Sequence, residues 1–250
     1  MLALFCAKLV TGRARGRAIV ITLNVVGAGP VKRGVTLVAA EFEKTSGHKI
    51  TVEFAGAPGV KDRILAGEAV DIAVVPRGTM NDFEKAGKTV AGARGLLGRS
   101  RIGMVVKRGA MLPELSTVDA FKQAMLNADE IVCNVANSGN YVVELLGKLG
   151  IGEATKTKVL QLGDTVKVMD HVAASTRNAL GVGQLAEISE LADKGVAIVL
   201  AAALPEAIQS ETSYEAAVAT ASGAQDVAAA FVRALASDAG RKLLASTGID

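Results

Sequence analysis

The sequence predicts an α/β protein with doubly wound parallel sheets, and three features of the chain indicate this fold class. Half of the 250 residues are apolar, and small aliphatic residues dominate while tryptophan is absent. Short apolar segments alternate with segments of helical periodicity along the chain. Three strand–turn–helix units follow one another before residue 88. Consecutive units of this kind form parallel sheets through right-handed crossovers.

The first unit begins with the apolar segment Val20–Val26, which is predicted to be a buried strand. Gly27–Gly29 follows as a tight turn, and Pro30 opens a helix whose apolar residues recur at helical spacing up to Gly47. Proline is favoured in the first turn of a helix because its missing N–H would have no partner there. Free N–H groups and the helix dipole favour an anion at such a turn. The glycine spacing does not fit a dinucleotide-binding motif, so we expect a small-anion site.

The next two units repeat this arrangement. Lys49–Ala55 alternates between apolar and polar residues as a strand, and Gly56–Gly59 is a turn into a second helix. Asp71–Val75 is a third apolar strand, and residues 76–79 lead into a helix that ends at Gly87. In doubly wound sheets, ligands bind outside the carboxyl ends of the strands, which is where all three turns lie.

The rest of the chain continues to alternate between strands and helices. Ile131–Asn134 is an apolar strand that leads through Ser138 into a helix with one apolar face, and this repeats the opening arrangement. The other predicted elements are strands at 101–107, 158–162, 179–184 and 196–202, a strand from Tyr214, and helices at 164–176, through 227–235 and at 241–245.

Composition argues against several classes of function. The net charge is only +3, the basic residues are scattered, and two tyrosines and six phenylalanines offer little for stacking on bases, so we expect no nucleic-acid binding. His48 and His171 have no partners at metal-ligand spacing, and no nucleophile has an evident base. We therefore expect no metal, no cofactor and no catalytic residue. Cys133 lies in an apolar strand and is interpreted as apolar filler, with a disulfide to Cys6 as the alternative.

Residues 1–18 are predicted to be an extension outside the fold. An apolar run precedes the basic run Arg13–Arg17, which is the reverse of the order in a secretory signal. The apolar run is also too short to span a membrane, so we expect no direct membrane insertion.

Five segments carry a resemblance to a known family: AAEFEKTSGH at 39–48, FAGAPG at 54–59, AGEAVDI at 66–72, SGNY at 138–141 and LLGKLGI at 145–151. In this order they resemble the molybdate-type extracellular solute-binding family, which has the type II periplasmic-binding-protein fold. The resemblance runs from about Ile19 to Asp250. It implies two doubly wound α/β lobes with mixed sheets around a central ligand cleft. Residues 19–101 and 205–250 would form lobe I, and residues 102–204 would form lobe II.

The resemblance also implies a function. It indicates a monomeric solute-binding protein, not an enzyme, that captures a small anion in the periplasm for the membrane subunits of an ABC transporter. Because residues 1–18 do not form a recognisable signal peptide, a cytoplasmic small-molecule sensor of the same fold is the alternative. An enzyme on this fold is the third hypothesis, and it would need an acid–base pair in the cleft.

The chain departs from the molybdate pattern in its first two turns. Molybdate binders of the family place serine hydroxyls there, whereas this chain has Ala28 and Ala57. Each charge-assisted hydrogen bond lost is worth roughly 1.5–3 kcal/mol. Two losses would lower the affinity for an oxyanion on the order of 10²- to 10⁴-fold. We therefore expect a larger organic anion, such as a di- or tricarboxylate.

Ten residues are candidate ligand contacts. Ser138 could instead only cap its helix, Tyr141 could only pack, and Arg77 could be a solvated surface residue rather than a bidentate carboxylate ligand. Gln184 could hydrogen-bond the ligand or be a polar residue beside the hinge, and Lys32 could neutralise an anion or face water. The ten candidates are Ala28, Gly29, Pro30, Ala57, Pro58, Arg77, Ser138, Asn140, Tyr141 and Gln184.

Overall fold

The computed structural model describes residues 19–250, so the extension predicted at 1–18 lies outside the described residues. This part of the chain contains nine strands and ten α-helices. The strands are β1 (Thr22–Ala28), β2 (Lys49–Ala55), β3 (Ile72–Pro76), β4 (Thr89–Lys107), β5 (Glu130–Asn134), β6 (Val159–Leu162), β7 (Ala179–Gln184), β8 (Ile198–Ala203) and β9 (Glu211–Ala219). The helices are α1 (Lys32–Ser46), α2 (Ala57–Leu65), α3 (Arg77–Lys85), α4 (Val118–Asn127), α5 (Asn137–Lys148), α6 (Gly152–Thr155), α7 (Thr165–Ala174), α8 (Leu185–Asp193), α9 (Gln225–Ala236) and α10 (Asp238–Ala245).

The strands form one mixed sheet in the order β2-β1-β3-β9-β4-β7-β5-β6, and β8 also pairs with β4. β1 runs parallel to β2 and β3, and β5 runs parallel to β6 and β7. β9 and β4 are antiparallel to their neighbours. The predicted fold class, doubly wound α/β with mixed sheets, is therefore confirmed.

β4 is the strand that joins the two parts of the sheet. It pairs with β9 as far as Arg101 and with β7 and β8 from Ile102 onward. We call β1, β2, β3, β9 and their helices α1, α2, α3, α9 and α10 the first half of the molecule. β5 to β8 with α4 to α8 form the second half.

The sequence prediction placed the start of this strand at Arg101, twelve residues too late, because β4 begins at Thr89. The missed segment is rich in glycine and arginine, and register shifts interrupt its pairing, so it lacks the alternation of an ordinary strand.

The apolar cores follow the two halves. Val25, Phe231 and their neighbours pack in the first half, while Phe121, Leu146 and their neighbours pack in the second. The lobe boundaries at 101 and 205 stay a prediction. Within residues 19–250, none of the helices has both the length and the apolar character that crossing a membrane requires.

The predicted turn after β1 is shorter in the structure. β1 includes Gly27 and Ala28, and the chain turns only in a 3₁₀ helix at Gly29–Val31, which holds Pro30 in its first positions. Gly27 stays in the strand because its backbone pairs with β2 and lies close to the Phe54 ring. A Cβ on Gly27 would lie 2.9 Å from a ring carbon of Phe54. The missing side chain therefore serves close packing rather than a turn.

Candidate functional site

A cavity of about 300 Å³, here called the central cavity, lies between the two halves of the molecule. Its wall is formed where strands of both halves end. Ligand sites of open α/β sheets lie at such carboxyl ends. The strand ends on this wall are those of β1, β2, β3, β5 and β7, represented by Ala28, Ala55, Pro76, Asn134 and Gln184.

Helix N-termini from both halves reach the central cavity. Gly29 and Pro30 begin the 3₁₀ helix ahead of α1, Ala57 begins α2, Asn137 begins α5 and Thr165 begins α7, and all of them line the cavity. The first N–H groups of a helix have no partner inside the helix. Together with the helix dipoles, they favour negative charge at this place.

The structure brings seven of the ten candidate residues together on the wall of the central cavity, and Lys32 lines it as well. Whether any of them contacts a ligand remains a prediction. The seven residues are Ala28, Gly29, Pro30, Ala57, Pro58, Ser138 and Gln184.

Arg77, for which the sequence left open a bidentate carboxylate ligand or a solvated surface residue, lies outside the cavity wall. Its Nε donates a hydrogen bond of 2.7 Å to Glu215 Oε1. Glu215 is only 5% exposed and also pairs with Arg94. The carboxylate partner of Arg77 is therefore supplied by β9 of the same chain, and this could not be read from local sequence.

Asn140 and Tyr141 also lie outside the cavity wall. Asn140 is exposed and donates a 3.2 Å hydrogen bond from Nδ2 to the Val135 carbonyl. The Tyr141 hydroxyl donates to the Ile208 carbonyl at 2.9 Å, and its ring packs against the core of the second half. The polar group of each side chain is thus used for internal bonds, which agrees with the packing alternative for Tyr141.

A buried polar network lies on the second-half side of the central cavity. Asn134 Nδ2 donates to Ser138 Oγ at 3.2 Å and to Thr165 Oγ1 at 2.9 Å. Thr165 Oγ1 in turn donates to Glu187 Oε2 at 2.7 Å. Because Ser138 Oγ accepts a bond from Asn134, its own proton is available to a ligand. Sequence reasoning missed Asn134, Thr165 and Glu187, and the one usable signal was that Asn134 ends an apolar strand.

Glu187 lies in the first turn of α8 and faces the first half. A Cβ at position 29 would overlap its Oε1, so a larger residue there would have to displace the Glu187 carboxyl. Burial raises the pKa of Glu187 to about 7, although the hydrogen bond from Thr165 opposes the shift, and the negative charges of Glu190 and Asp164 add to it. Glu187 can therefore take up or release a proton near neutral pH.

The charges around the central cavity are mixed. Lys32 and Lys194 line it together with Asp164, Glu187 and Glu190. Glu190 lies 3.8 Å from the Lys32 ammonium group and also pairs with Lys194. Since carboxylates offset the lysines, the helix N-termini supply much of the attraction for an anion.

Asp164 has a local structural role. Its side chain accepts a hydrogen bond of 2.9 Å from Lys167 N and thereby caps α7 beside the central cavity. Aspartate is favoured at such a cap because it satisfies one of the free N–H groups of the first turn.

Apart from Lys32 and Tyr214, the wall that the first half contributes carries no polar side chain. Phe54, Ala57 and Pro58 line it next to Ala28, so the two turns offer the cavity no side-chain hydroxyl. Side chains that can form directed hydrogen bonds to a ligand come mainly from the second half.

The residues considered for metal binding or nucleophilic chemistry are not part of the cavity wall. Residues 19–250 contain no cluster of three or more His, Cys, Asp or Glu side chains that could hold a metal ion. Cys133 is fully buried in β5, as predicted, and burial raises the pKa of its thiol to about 12. Cys6 lies outside the described residues. His171 Nε2 lies 2.9 Å from Glu130 Oε2, away from the cavity wall.

Comparison with known proteins identifies the family. Residues 23–250 match the family described as bacterial extracellular solute-binding protein. The chain belongs to the bacterial extracellular solute-binding proteins. The family resemblance inferred from the five sequence segments is thereby confirmed.

Two relatives of this extracellular solute-binding protein carry names that indicate different functions. Aconitate isomerase from Pseudomonas sp. is 27% identical over 236 residues, which cover 92% of this chain and 88% of the relative. The molybdate-binding protein of Azotobacter vinelandii is 29% identical over 159 residues, which cover 60% of each chain. The family therefore includes a relative named as an enzyme as well as one named as a binding protein.

A solved structure supports the fold. The periplasmic molybdate-binding protein of Azotobacter vinelandii superimposes with a TM-score of 0.74 at 16% identity, covering 91% of this chain and 98% of that one. The type II periplasmic-binding-protein fold predicted for this solute-binding protein is confirmed.

Proposed function

We propose that this protein captures an organic di- or tricarboxylate in the central cavity and delivers it to the membrane subunits of an ABC transporter. The observation that carries the proposal is the convergence of helix N-termini from both halves on one cavity. Its volume of about 300 Å³ lies at the lower end of the range for small-molecule pockets, roughly 300–1,000 Å³. Because Ala28 and Ala57 have small side chains, the cavity has space for an organic acid. They provide none of the hydroxyls that a small oxyanion would need.

The proposed capture mechanism is closure of two lobes, with residues 19–101 and 205–250 against residues 102–204. Contacts across the cavity support it. Arg33 Nη1 lies 2.8 Å from Asp193 Oδ2, Lys32 lies 3.8 Å from Glu190, and Glu187 lies against Gly29. Lobe closure of this kind removes a ligand from water and strengthens its electrostatic contacts.

Isothermal titration tests the proposal. The purified chain is titrated with citrate, malate, succinate, aconitate, molybdate, sulfate and phosphate at pH 7. We expect one or more of the organic acids to bind more tightly than all of the inorganic oxyanions. Absence of binding by every organic acid at millimolar concentration, or tighter binding of molybdate, would contradict it.

Glu187 favours a second candidate function, a proton-transferring isomerase that acts on an unsaturated tricarboxylate. Moving a double bond within such an acid requires one carbon to lose a proton and another to gain one. A carboxyl whose pKa is about 7 can do both at neutral pH. The relative named aconitate isomerase supports this candidate.

Proton NMR separates the two candidates. The protein is incubated with cis- or trans-aconitate in D₂O, and both the isomer ratio and deuterium incorporation are followed. Conversion that is lost in Glu187→Gln supports the isomerase. Binding without conversion or deuterium exchange supports the solute-binding function and rules out the isomerase.

A further inference from the structure

Gln184 has a buried hydrogen-bond acceptor, without a partner in the described residues, beside the central cavity. It is the last residue of β7, lines the cavity and is only 3% exposed. Its Nε2 donates to Thr212 Oγ1 at 3.0 Å. Among residues 19–250, no group donates a hydrogen bond to its Oε1. Burying a polar atom without a hydrogen-bond partner is unfavourable, so a partner from outside the chain would be favoured.

Glu187 lines the same cavity three residues further along. Gln184 is the N-cap residue of α8, and Glu187 lies in the first turn of that helix. Thr165 donates to Oε2 of Glu187, while Oε1 lies beside Gly29. Gln184 and Glu187 thus form one polar patch, which we call the α8 patch.

The α8 patch is unsuited to a carboxylate. A carboxylate oxygen has no proton to give to Gln184 Oε1, and it would be repelled by an ionised Glu187. Negative groups are better placed at the starts of α2 and α5, near Ala57 and Ser138, where free N–H groups and the Ser138 hydroxyl are available. The part of the ligand that meets the α8 patch should therefore carry a hydrogen-bond donor.

We propose that the ligand is a hydroxycarboxylate whose hydroxyl group donates to Gln184 Oε1 and takes Glu187 as its second hydrogen-bond partner, while its carboxylates lie at the starts of α2 and α5. This inference rests on the proposed function and names the class of acid. A hydroxyl can donate one hydrogen bond and accept others, so it fits between an amide oxygen and a carboxyl group.

The test compares acids that differ only in the hydroxyl. The full chain is titrated with malate against succinate and with citrate against tricarballylate at pH 7. We expect the hydroxy acid of at least one pair to bind about tenfold more tightly or better, since a site that hydrogen-bonds a hydroxyl rejects the analogue without it. The Gln184→Leu variant should remove this preference. Gln161→Leu is the matched control, because Gln161 is exposed on β6 outside the cavity wall.

The outcomes distinguish failure of the hydroxycarboxylate inference from failure of the proposed organic-acid function. If the deoxy acids bind as tightly as the hydroxy acids to the wild-type chain, the hydroxycarboxylate inference is overturned and the organic-acid function stands. If none of the four acids binds but aconitate does, the inference is overturned and the organic-acid function stands; if aconitate does not bind either, both fail. Circular dichroism shows whether Gln184→Leu folds. If it does not, the comparison of hydroxy and deoxy acids with the wild-type chain still tests the hydroxycarboxylate inference.

Discussion

Among single residues, we expect Glu187 to have the strongest influence on ligand binding. Asp164, Glu190, Lys32, Lys194 and the buried Tyr214 line the cavity with it, and the Thr165 hydroxyl bonds to it. Burial and the two neighbouring carboxylates raise the pKa of Glu187 to about 7. A ligand anion nearby would favour the neutral carboxyl still further.

Anion affinity should therefore depend on pH. Above pH 7 Glu187 becomes negative and repels the ligand, so affinity should fall by up to about tenfold per pH unit. Titration calorimetry of the tightest-binding acid between pH 6 and pH 8.5 measures this. Glu187→Gln should bind with little pH dependence, because the amide carries no charge at any of these pH values. The explanation would be refuted by a wild-type affinity that stays constant over this range.

The same group should influence stability. The pKa of Glu187 is raised from its ordinary value of 4.5 to about 7 in the folded protein. Between these pH values the unfolded chain has lost the proton and the folded chain keeps it, so stability decreases as pH rises. At pH 8, Glu187→Gln should raise the melting temperature by about 2–4 °C, the effect of about 1 kcal/mol in a chain of this size.

At pH 5 the same substitution should change the melting temperature little, because Glu187 is then neutral. Differential scanning calorimetry at both pH values provides the comparison. Glu144→Gln, at an exposed site on α5, is the control and should be neutral at both. An equal effect of Glu187→Gln at pH 5 and pH 8 would show that the carboxyl does not titrate as described.

At the scale of elements, local pattern predicted the helix starts well because each is encoded by a few neighbouring residues. Gly29, Pro30, Ala57 and Pro58 could be placed at the cavity from turn chemistry alone. Asn134, Thr165 and Glu187 could not, because their hydrogen bonds join residues separated by 22 to 31 positions in the chain. The pairing of Arg77 could not be predicted for the same reason, since its partner Glu215 lies 138 residues away.

The contact between α8 and the 3₁₀ helix at Gly29–Val31 gives a prediction at this scale. Gly29→Ala should weaken binding of the tightest-binding acid by about tenfold, or about 1.4 kcal/mol. The reason is that the new methyl group must displace the Glu187 carboxyl or hold the two halves apart. Calorimetric titration at pH 7 measures the change.

Gly59→Ala is the matched control for this substitution. It lies in the first turn of α2, and a Cβ there would meet nothing within 4 Å. Alanine in place of a helical glycine is stabilising by roughly 0.5–1 kcal/mol, and ligand affinity should be unchanged. Equal affinities of the Gly29→Ala and Gly59→Ala variants would argue against a tight contact between α8 and the first half.

At the scale of the whole molecule, the halves are joined by β4 and by the segment that leads into β9. Gln209 braces this crossing: its Oε1 accepts from Ile102 N at 2.9 Å and its Nε2 donates to the Ile102 carbonyl at 3.1 Å. The Arg33–Asp193 pair across the cavity is exposed, and the Lys32–Glu190 pair is long, at 3.8 Å, with an exposed lysine. Such pairs contribute only about 0–1 kcal/mol each. The ligand should therefore supply much of the free energy that favours the closed form.

Small-angle X-ray scattering can detect this closure. We expect the radius of gyration to decrease when the tightest-binding acid is added at saturation, because the ligand-free chain samples more open forms. A radius of gyration that is the same with and without the acid would indicate that the halves form a rigid unit.

The most direct test of the central claim is a crystal structure of the protein with the tightest-binding acid. We predict that the acid occupies the central cavity, with its carboxylates at the starts of α2 and α5 and its hydroxyl within hydrogen-bond distance of Gln184 Oε1. An acid bound outside this cavity, or a cavity that stays empty at a saturating concentration of the acid, would contradict the account.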